Sequence, residues 1–199
     1  MHKDRVRWNA KFEDQRELGE PSSWIVDMHA MAPGPRALDL AAGRGRNSVF
    51  LAGQGFEVLA LDVADRAVRA LKNHSIPGIF PVQADTDRLC LHPDSFDLIV
   101  CCNFLDRRLF PTITESLKMG GILLYETAME SDLAKSGQPM NRDYLLRANE
   151  LLHVFWGLRI VAYQEAVIAE GPSVDPRVVA RLAAQKGWTG DRCLIHCKA

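Results

Sequence analysis

The chain lacks a long apolar run. No uninterrupted hydrophobic stretch approaches the roughly 20 residues a helix needs to cross a bilayer, and the first twenty residues are charged throughout, without the apolar centre of a secretory signal. A cytoplasmic protein without a membrane partner is expected. An excess of charge is lacking too. Twenty-four Lys and Arg stand against 25 Asp and Glu, and a net charge of −1 supplies no general attraction to nucleic acid. There is also no basic patch with interleaved aromatics, so no nucleic-acid partner is expected. Cysteine is sparse and odd in number: five residues whose spacings form no disulfide framework. Cys101 and Cys102 end an apolar run and are read as reduced core or cleft residues. Cys193, His196 and Cys197 offer three metal ligands without a fourth, so no metal is expected. His29, His74, His92 and His153 are scattered, and no His/Asp pair demands a base role.

What the chain has is alternation. Its 199 residues suit one domain. After a polar helix over residues 4–19 and a second one over 24–31, Pro33-Gly-Pro35 marks a turn. Strands are then read at Arg36–Leu40, Glu57–Asp62, Ile79–Gln83, Phe96–Cys101 and Gly121–Glu126. Helices lie between them at Arg46–Gln54, Ala64–Asn73 and Arg107–Met119. Strand alternating with helix argues for βαβ units and a parallel sheet. From Asn141 to Phe155 the apolar spacing is helical. Leu158–Ile168 and Val174–Gln185 flank a Gly171-Pro172 turn and read as an antiparallel hairpin at one sheet edge. The expected fold is α/β: a single Rossmann-like, doubly wound, mostly parallel seven-stranded sheet with an antiparallel edge hairpin. Three segments are expected: an N-terminal helical lid (1–35), the main domain (36–187) and a C-terminal tail (188–199).

The first strand of that sheet ends in Asp39-Leu-Ala41-Ala-Gly43-Arg-Gly45 and opens into a helix. This puts a loop of small residues at the carboxyl end of a parallel strand, where open α/β sheets bind ligands. Gly43 and Gly45 let the backbone bend and approach a ligand without Cβ obstruction. A dinucleotide loop needs G-x-G-x-x-G, but those slots hold Ala41, Gly43 and Arg46. A G-x-x-x-x-G-K-[ST] triphosphate loop is absent. The context is that of a nucleotide site without the phosphate-reading details.

Four blocks in register carry a resemblance: LDLAAGRGRNSVFLAGQG, VLALDVADRAVRAL, VQADTDRL, and FDLIVCCNFLDRRLF with GGILLYET. Over roughly residues 36–187 the chain resembles the class I S-adenosylmethionine-dependent methyltransferases. The GGILLYET strand and the YLLRANELL segment are most similar to small bacterial tellurite-resistance-type and related uncharacterised members. The resemblance implies S-adenosylmethionine as cofactor, S-adenosylhomocysteine as product, and a cofactor site residue by residue. Asp39, Ala41, Gly43 and Gly45 would form the bend under the methionine part, although glycine is usual at the position of Ala41. Arg46 and Asn47 would sit near the amino-acid end. Asp62, 23 positions after Asp39, would accept from both ribose hydroxyls, a task that suits an acceptor-only carboxylate; it could instead cap the following helix. Asp85, with Thr86, would serve the adenine amino group, with Asp87 as a competing carboxylate. Val63 would pack on the adenine face. Cys102 would touch the cofactor through its backbone.

Asn103 follows Cys102, but Asn103-Phe-Leu-Asp lacks the prolines of the amino-methylating Asn/Asp-Pro-Pro-Tyr/Phe loop. Trp8, Phe12 and Arg16 would face the cleft from the N-terminal helix, or Trp8 and Phe12 simply glue that helix down. With Asn103 and Met140 they are the candidate substrate residues. No catalytic side chain is singled out. A sulfonium methyl is already electrophilic, and a soft nucleophile needs no dedicated base. The expected activity is direct in-line methyl transfer to a small-molecule acceptor such as a thiol, an oxyanion or a metabolite. The alternative is a non-catalytic S-adenosylmethionine-binding module that signals or scaffolds. Neither the acceptor atom nor the oligomeric state is written in the sequence.

Overall fold

Runs of Val, Leu, Ile and Ala buried on both faces make the central strands, as parallel sheets require. In the computed structural model every residue of Phe96–Cys102 is buried, and four of the five residues of Arg36–Leu40 are. The structure describes residues 2–14, 18–131, 141–168 and 177–187. In chain order the helices are α1 (His2–Asp14), α2 (Ser23–Met28), α3 (Arg46–Gly53), α4 (Asp65–His74), α5 (Phe110–Ser116) and α6 (Glu150–Val154). The strands are β1 (Arg36–Leu40), β2 (Glu57–Asp62), β3 (Ile79–Gln83), β4 (Phe96–Cys102), β5 (Leu117–Ala128), β6 (Arg159–Ile168) and β7 (Arg177–Gln185).

They form one seven-stranded sheet in the order β3-β2-β1-β4-β5-β7-β6. The first five strands run parallel, while β7 pairs antiparallel with both β5 and β6. The side-chain period of two splits the core between the faces. Leu98, Val100 and Cys102 of β4 pack with Trp24, Ile25 and Leu51 on the face of α2 and α3. Ile99 and Cys101 pack with Ile113, Leu151 and Phe155 on the face of α5 and α6. No helix among the described residues is long and apolar enough to cross a membrane.

The doubly wound sheet and the antiparallel β6–β7 pair agree with the sequence reading. Three boundaries do not. The expected helix Arg107–Met119 is a 3₁₀ turn (Arg107–Leu109) followed by the short α5, and the chain enters β5 at Leu117. Leu117 pairs with Phe96, and the register then slips so that Leu98 faces Ile122. Gly120 at φ +81° lets the chain make that bulge. The expected helix over 141–155 shrinks to a 3₁₀ turn (Arg142–Tyr144) and α6. The segment is held instead by a fork: Arg107 donates to Glu150 and to the carbonyls of Asp143 and Leu145 at 2.6–2.9 Å. The helix read over 24–31 ends at Met28 and tightens to 3₁₀ over His29–Met31. The Gly171-Pro172 turn, the tail and its Cys193, His196 and Cys197 lie outside the described residues.

Candidate functional site

Strand order decides where a site forms. From β1 the chain crosses to β2 on one side, whereas β4 lies on the other, and this reversal opens a crevice at the carboxyl ends of the strands. A cavity of ≈ 1630 Å³ lies there, walled by the loops after β1 to β5 and covered in part by α1. A smaller hollow of ≈ 450 Å³ is the seam between α1 and α4.

The loop after β1 takes three left-handed residues, Ala41 (φ +58°), Gly43 (φ +57°) and Gly45 (φ +87°). Glycine accepts such angles freely, and alanine does not. A Cβ on Gly43 would stand 3.2 Å from Cζ of Phe12, so the absent side chain is what lets α1 lie against the loop. Asp62, at the end of β2, ties this loop down. Its Oδ2 accepts from the Gly43 amide at 2.7 Å and its Oδ1 from the Ala64 amide at 2.8 Å. Burial raises its pKa against the pull of those amides. A carboxylate offers about four lone-pair positions, so acceptor capacity remains beyond these amides.

Ala41, Gly43, Asn47, Asp62, Val63, Asp85, Thr86, Cys102, Asn103, Trp8 and Phe12 all line the cavity. Asp39 and Gly45 belong to the same bend but do not themselves line the cavity. Asp39 is 1% exposed and accepts from the Ser48 hydroxyl at 2.6 Å. Burial, then the nearby charge of Asp62, lifts its pKa to about 7, against the Ser48 bond and Arg46. Gly45 faces α4, where a Cβ would fall 2.6 Å from Leu71. Asn47 spends its oxygen on the backbone amide of Ser22 at 3.0 Å, binding the start of α2 to α3. Asp85 accepts from the Asp87 amide at 3.0 Å, so the two carboxylates share one turn. Burial, then Glu126, pushes the Cys102 thiol well up, which keeps it protonated and unreactive. Arg16 and Met140 lie outside the described residues.

Several lining residues escaped the sequence reading. Glu126 is 1% exposed and accepts from Nε of Arg181 at 2.7 Å. Lone charged residues inside the apolar runs of β5 and β7 were the available signal. Arg7 and Lys11 of α1 and Arg177 of β7 line the cavity as well, and both arginines lie near enough to Lys11 to lower its pKa. Ser22 is 5% exposed, and its hydroxyl lies buried without a hydrogen-bond partner, leaving a donor and acceptor for a bound molecule.

The comparisons with known proteins agree with this geometry. Residues 37–121 match the sequence family described as a methyltransferase domain. The ubiquinone biosynthesis O-methyltransferase of Burkholderia vietnamiensis is 29% identical over 136 residues, covering 61% of this chain and 57% of that protein. Its namesake from Xanthomonas campestris pv. campestris is 28% identical over 124 residues, covering 58% and 52%. The chain thus spans little more than half the length of these curated relatives. Among solved structures, TehB from Haemophilus influenzae superimposes with a TM-score of 0.67 at 22% identity, over 81% of this chain and 61% of that one. An S-adenosylmethionine-dependent methyltransferase from Mesorhizobium loti gives 0.65 at 21%, over 83% and 99%. The fold is the one these methyltransferases share.

Proposed function

We propose that this chain, with the fold of S-adenosylmethionine-dependent methyltransferases, transfers the methyl group of S-adenosylmethionine to a small molecule. One observation carries the reading: Asp62 grips the Gly43 loop from the next strand while keeping acceptor positions spare at the cavity wall. The residues fit the cofactor. Asp62 would take the ribose hydroxyls, the turn at Asp85 and Thr86 the adenine edge, and the loop from Ala41 to Gly43 the methionine end. The buried Ser22 hydroxyl is a further polar group for that end. The cavity of ≈ 1630 Å³ exceeds the about 300–1,000 Å³ of a usual ligand pocket, so a donor and an acceptor fit together.

When bound, the cofactor supplies an electrophilic methyl on a sulfonium. The protein's own part is alignment and exclusion of water. Trp8 and Phe12 stack with centroids 6.0 Å apart and shield one side of the crevice. The loop at Cys102 and Asn103 forms the floor at which an acceptor would arrive. The test has two stages. Calorimetry should show S-adenosylhomocysteine binding, and labelled methyl should pass from the cofactor to a member of a panel of thiols, oxyanions and small metabolites. Heat with NAD but none with S-adenosylhomocysteine overturns the reading.

A further inference from the structure

We propose that Glu126, Arg181 and Ser22 read the charged amino-acid end of the methyl donor: Glu126 takes its ammonium, while Arg181 and the Ser22 hydroxyl take its carboxylate. This rests on the methyl-transfer reading. It adds Glu126 and Arg181 to the donor site and gives the Ser22 hydroxyl a defined partner.

Strand register builds the subsite. With adenine at the end of β3, ribose at β2 and the methionine side chain at the loop after β1, the donor advances strand by strand along the sheet. The next strands in the order are β4, β5 and β7. Leu40 pairs with Cys101, which brings the start of the β1 loop beside Cys102; Cys102 pairs with Glu126, and Glu126 with Arg181. The period of two sets Cys102, Glu126 and Arg181 on one face, the face covered by α2 and α3. Neighbouring strands lie about 4.8 Å apart, a gap that one side chain crosses.

The row closes into a ring through α2 and α3. Nε of Arg181 donates to Oε2 of Glu126 at 2.7 Å, and Nη2 reaches the Ser23 hydroxyl at 3.4 Å. Ser22 donates its amide to Oδ1 of Asn47 at 3.0 Å, and Asn47 stands in the first turn of α3, straight after the glycine loop. Ser22, Ser23, Asn47, Cys102, Glu126 and Arg181 all line the cavity. Charges of both signs act there: Glu126 pushes the Cys102 thiol up, and Arg46 pulls it down. A ring with a carboxylate and a guanidinium side by side is the complement of a zwitterion. A carboxylate accepts in about four directions and a guanidinium has several donors, so capacity remains on both beyond their mutual bond. Ser22 is 5% exposed, and its hydroxyl is buried without a partner, an arrangement that is costly until something accepts from it. A carboxylate oxygen of the donor supplies that acceptor.

Calorimetry on the full chain tests this with two probes, S-adenosylhomocysteine and methylthioadenosine. The second keeps the adenosine and the thioether but has no amino-acid end. The unaltered protein should bind S-adenosylhomocysteine at least about tenfold more tightly. Ser22→Ala should weaken S-adenosylhomocysteine about tenfold and leave methylthioadenosine within about twofold. Glu126→Gln combined with Arg181→Met should do the same, without the stranded charge that one change alone would leave. Circular dichroism checks that each variant is folded; Ser22→Ala, which leaves the ion pair intact, carries the test where the paired variant does not fold. Equal weakening of both probes, the result of a purely structural role, overturns the proposal. So does undiminished S-adenosylhomocysteine binding in either folded variant, or equal binding of the two probes by the unaltered protein. If the unaltered protein binds neither probe, the methyl-transfer reading fails and this inference with it.

Discussion

Two carboxylates a few ångströms from the same glycine loop do different work because their partners differ. Asp62 accepts only from backbone amides and lines the cavity, so its spare acceptor positions are available to a ligand. Asp62→Ala should lower S-adenosylhomocysteine affinity by roughly tenfold or more, about 1.5–3 kcal/mol, the worth of a hydrogen bond to a charged group. Titration calorimetry on protein with an unchanged far-ultraviolet spectrum measures this, and unaltered affinity removes Asp62 from the ribose role. Asp39 does not line the cavity, and its effect is on stability. Burial lifts its pKa from 3.8 to about 7. Below both values the native state has the full benefit of its neutral carboxyl; between them the unfolded chain releases a proton that the native state still holds, so that benefit declines as pH rises. That contribution fades as pH rises through 7. Asp39→Asn keeps an acceptor for Ser48 and removes the titration. The melting temperature of the unaltered protein, measured relative to Asp39→Asn, should therefore fall from pH 5 to pH 8; a difference independent of pH would mean Asp39 stays ionised. Ala41 shows why glycine is usual at its position in the family the chain resembles. Its φ of +58° lies in the left-handed region, which costs an alanine about 1–2 kcal/mol.

At the scale of elements, the loop after β1 is a spacer as much as a binding surface. Gly45 sits at φ +87° with a Cβ position 2.6 Å from Leu71 of α4, so α4 packs where a side chain would be. Gly45→Ala should destabilise the protein by about 1–3 kcal/mol through backbone strain and overpacking. Adding Leu71→Ala should recover little, because the strain persists and a cavity is added. Urea denaturation of the two variants separates these contributions, and full recovery in the double variant would mean that only the collision mattered. The parallel strands were legible because their apolar runs end on glycine, proline and acidic residues. The bends were legible only where glycine marked them. Leu117-Lys-Met119 carries no period that separates a helix end from a strand start, and the Phe96–Leu117 pairing that decides it is a long-range contact. The 141–155 segment has helical spacing, yet Arg107 draws its carbonyls out of a helix from 36 and 38 residues away. Hydrophobic periodicity does not register a guanidinium arriving from another element.

At the scale of the whole molecule, the cavity face is closed by a charge pair that joins distant parts of the chain. Cys102, Glu126 and Arg181 stand opposite one another across β4, β5 and β7. Arg181 also reaches the Ser23 hydroxyl at 3.4 Å, and its guanidinium lies 5.9 Å from the Trp24 ring. One side chain thus connects the antiparallel edge, the central strands and α2, next to the unpartnered Ser22 hydroxyl. Neither residue stood out as a site candidate in the sequence, since each is a single charge whose partner is set by strand register. Buried pairs of this kind contribute little over an apolar replacement, yet removal of one partner is costly because the other charge is stranded. Glu126 is 1% exposed on its side chain and Arg181 14%. Arg181→Met should therefore destabilise the fold by about 3–5 kcal/mol, and Glu126→Gln added to it should recover most of that loss. Urea unfolding at neutral pH measures both, with an unchanged denaturant slope showing that the same structure is lost. A loss below about 1 kcal/mol for Arg181→Met would mean that Glu126 carries no buried charge. In that case the pair would orient the cavity wall without bracing the sheet.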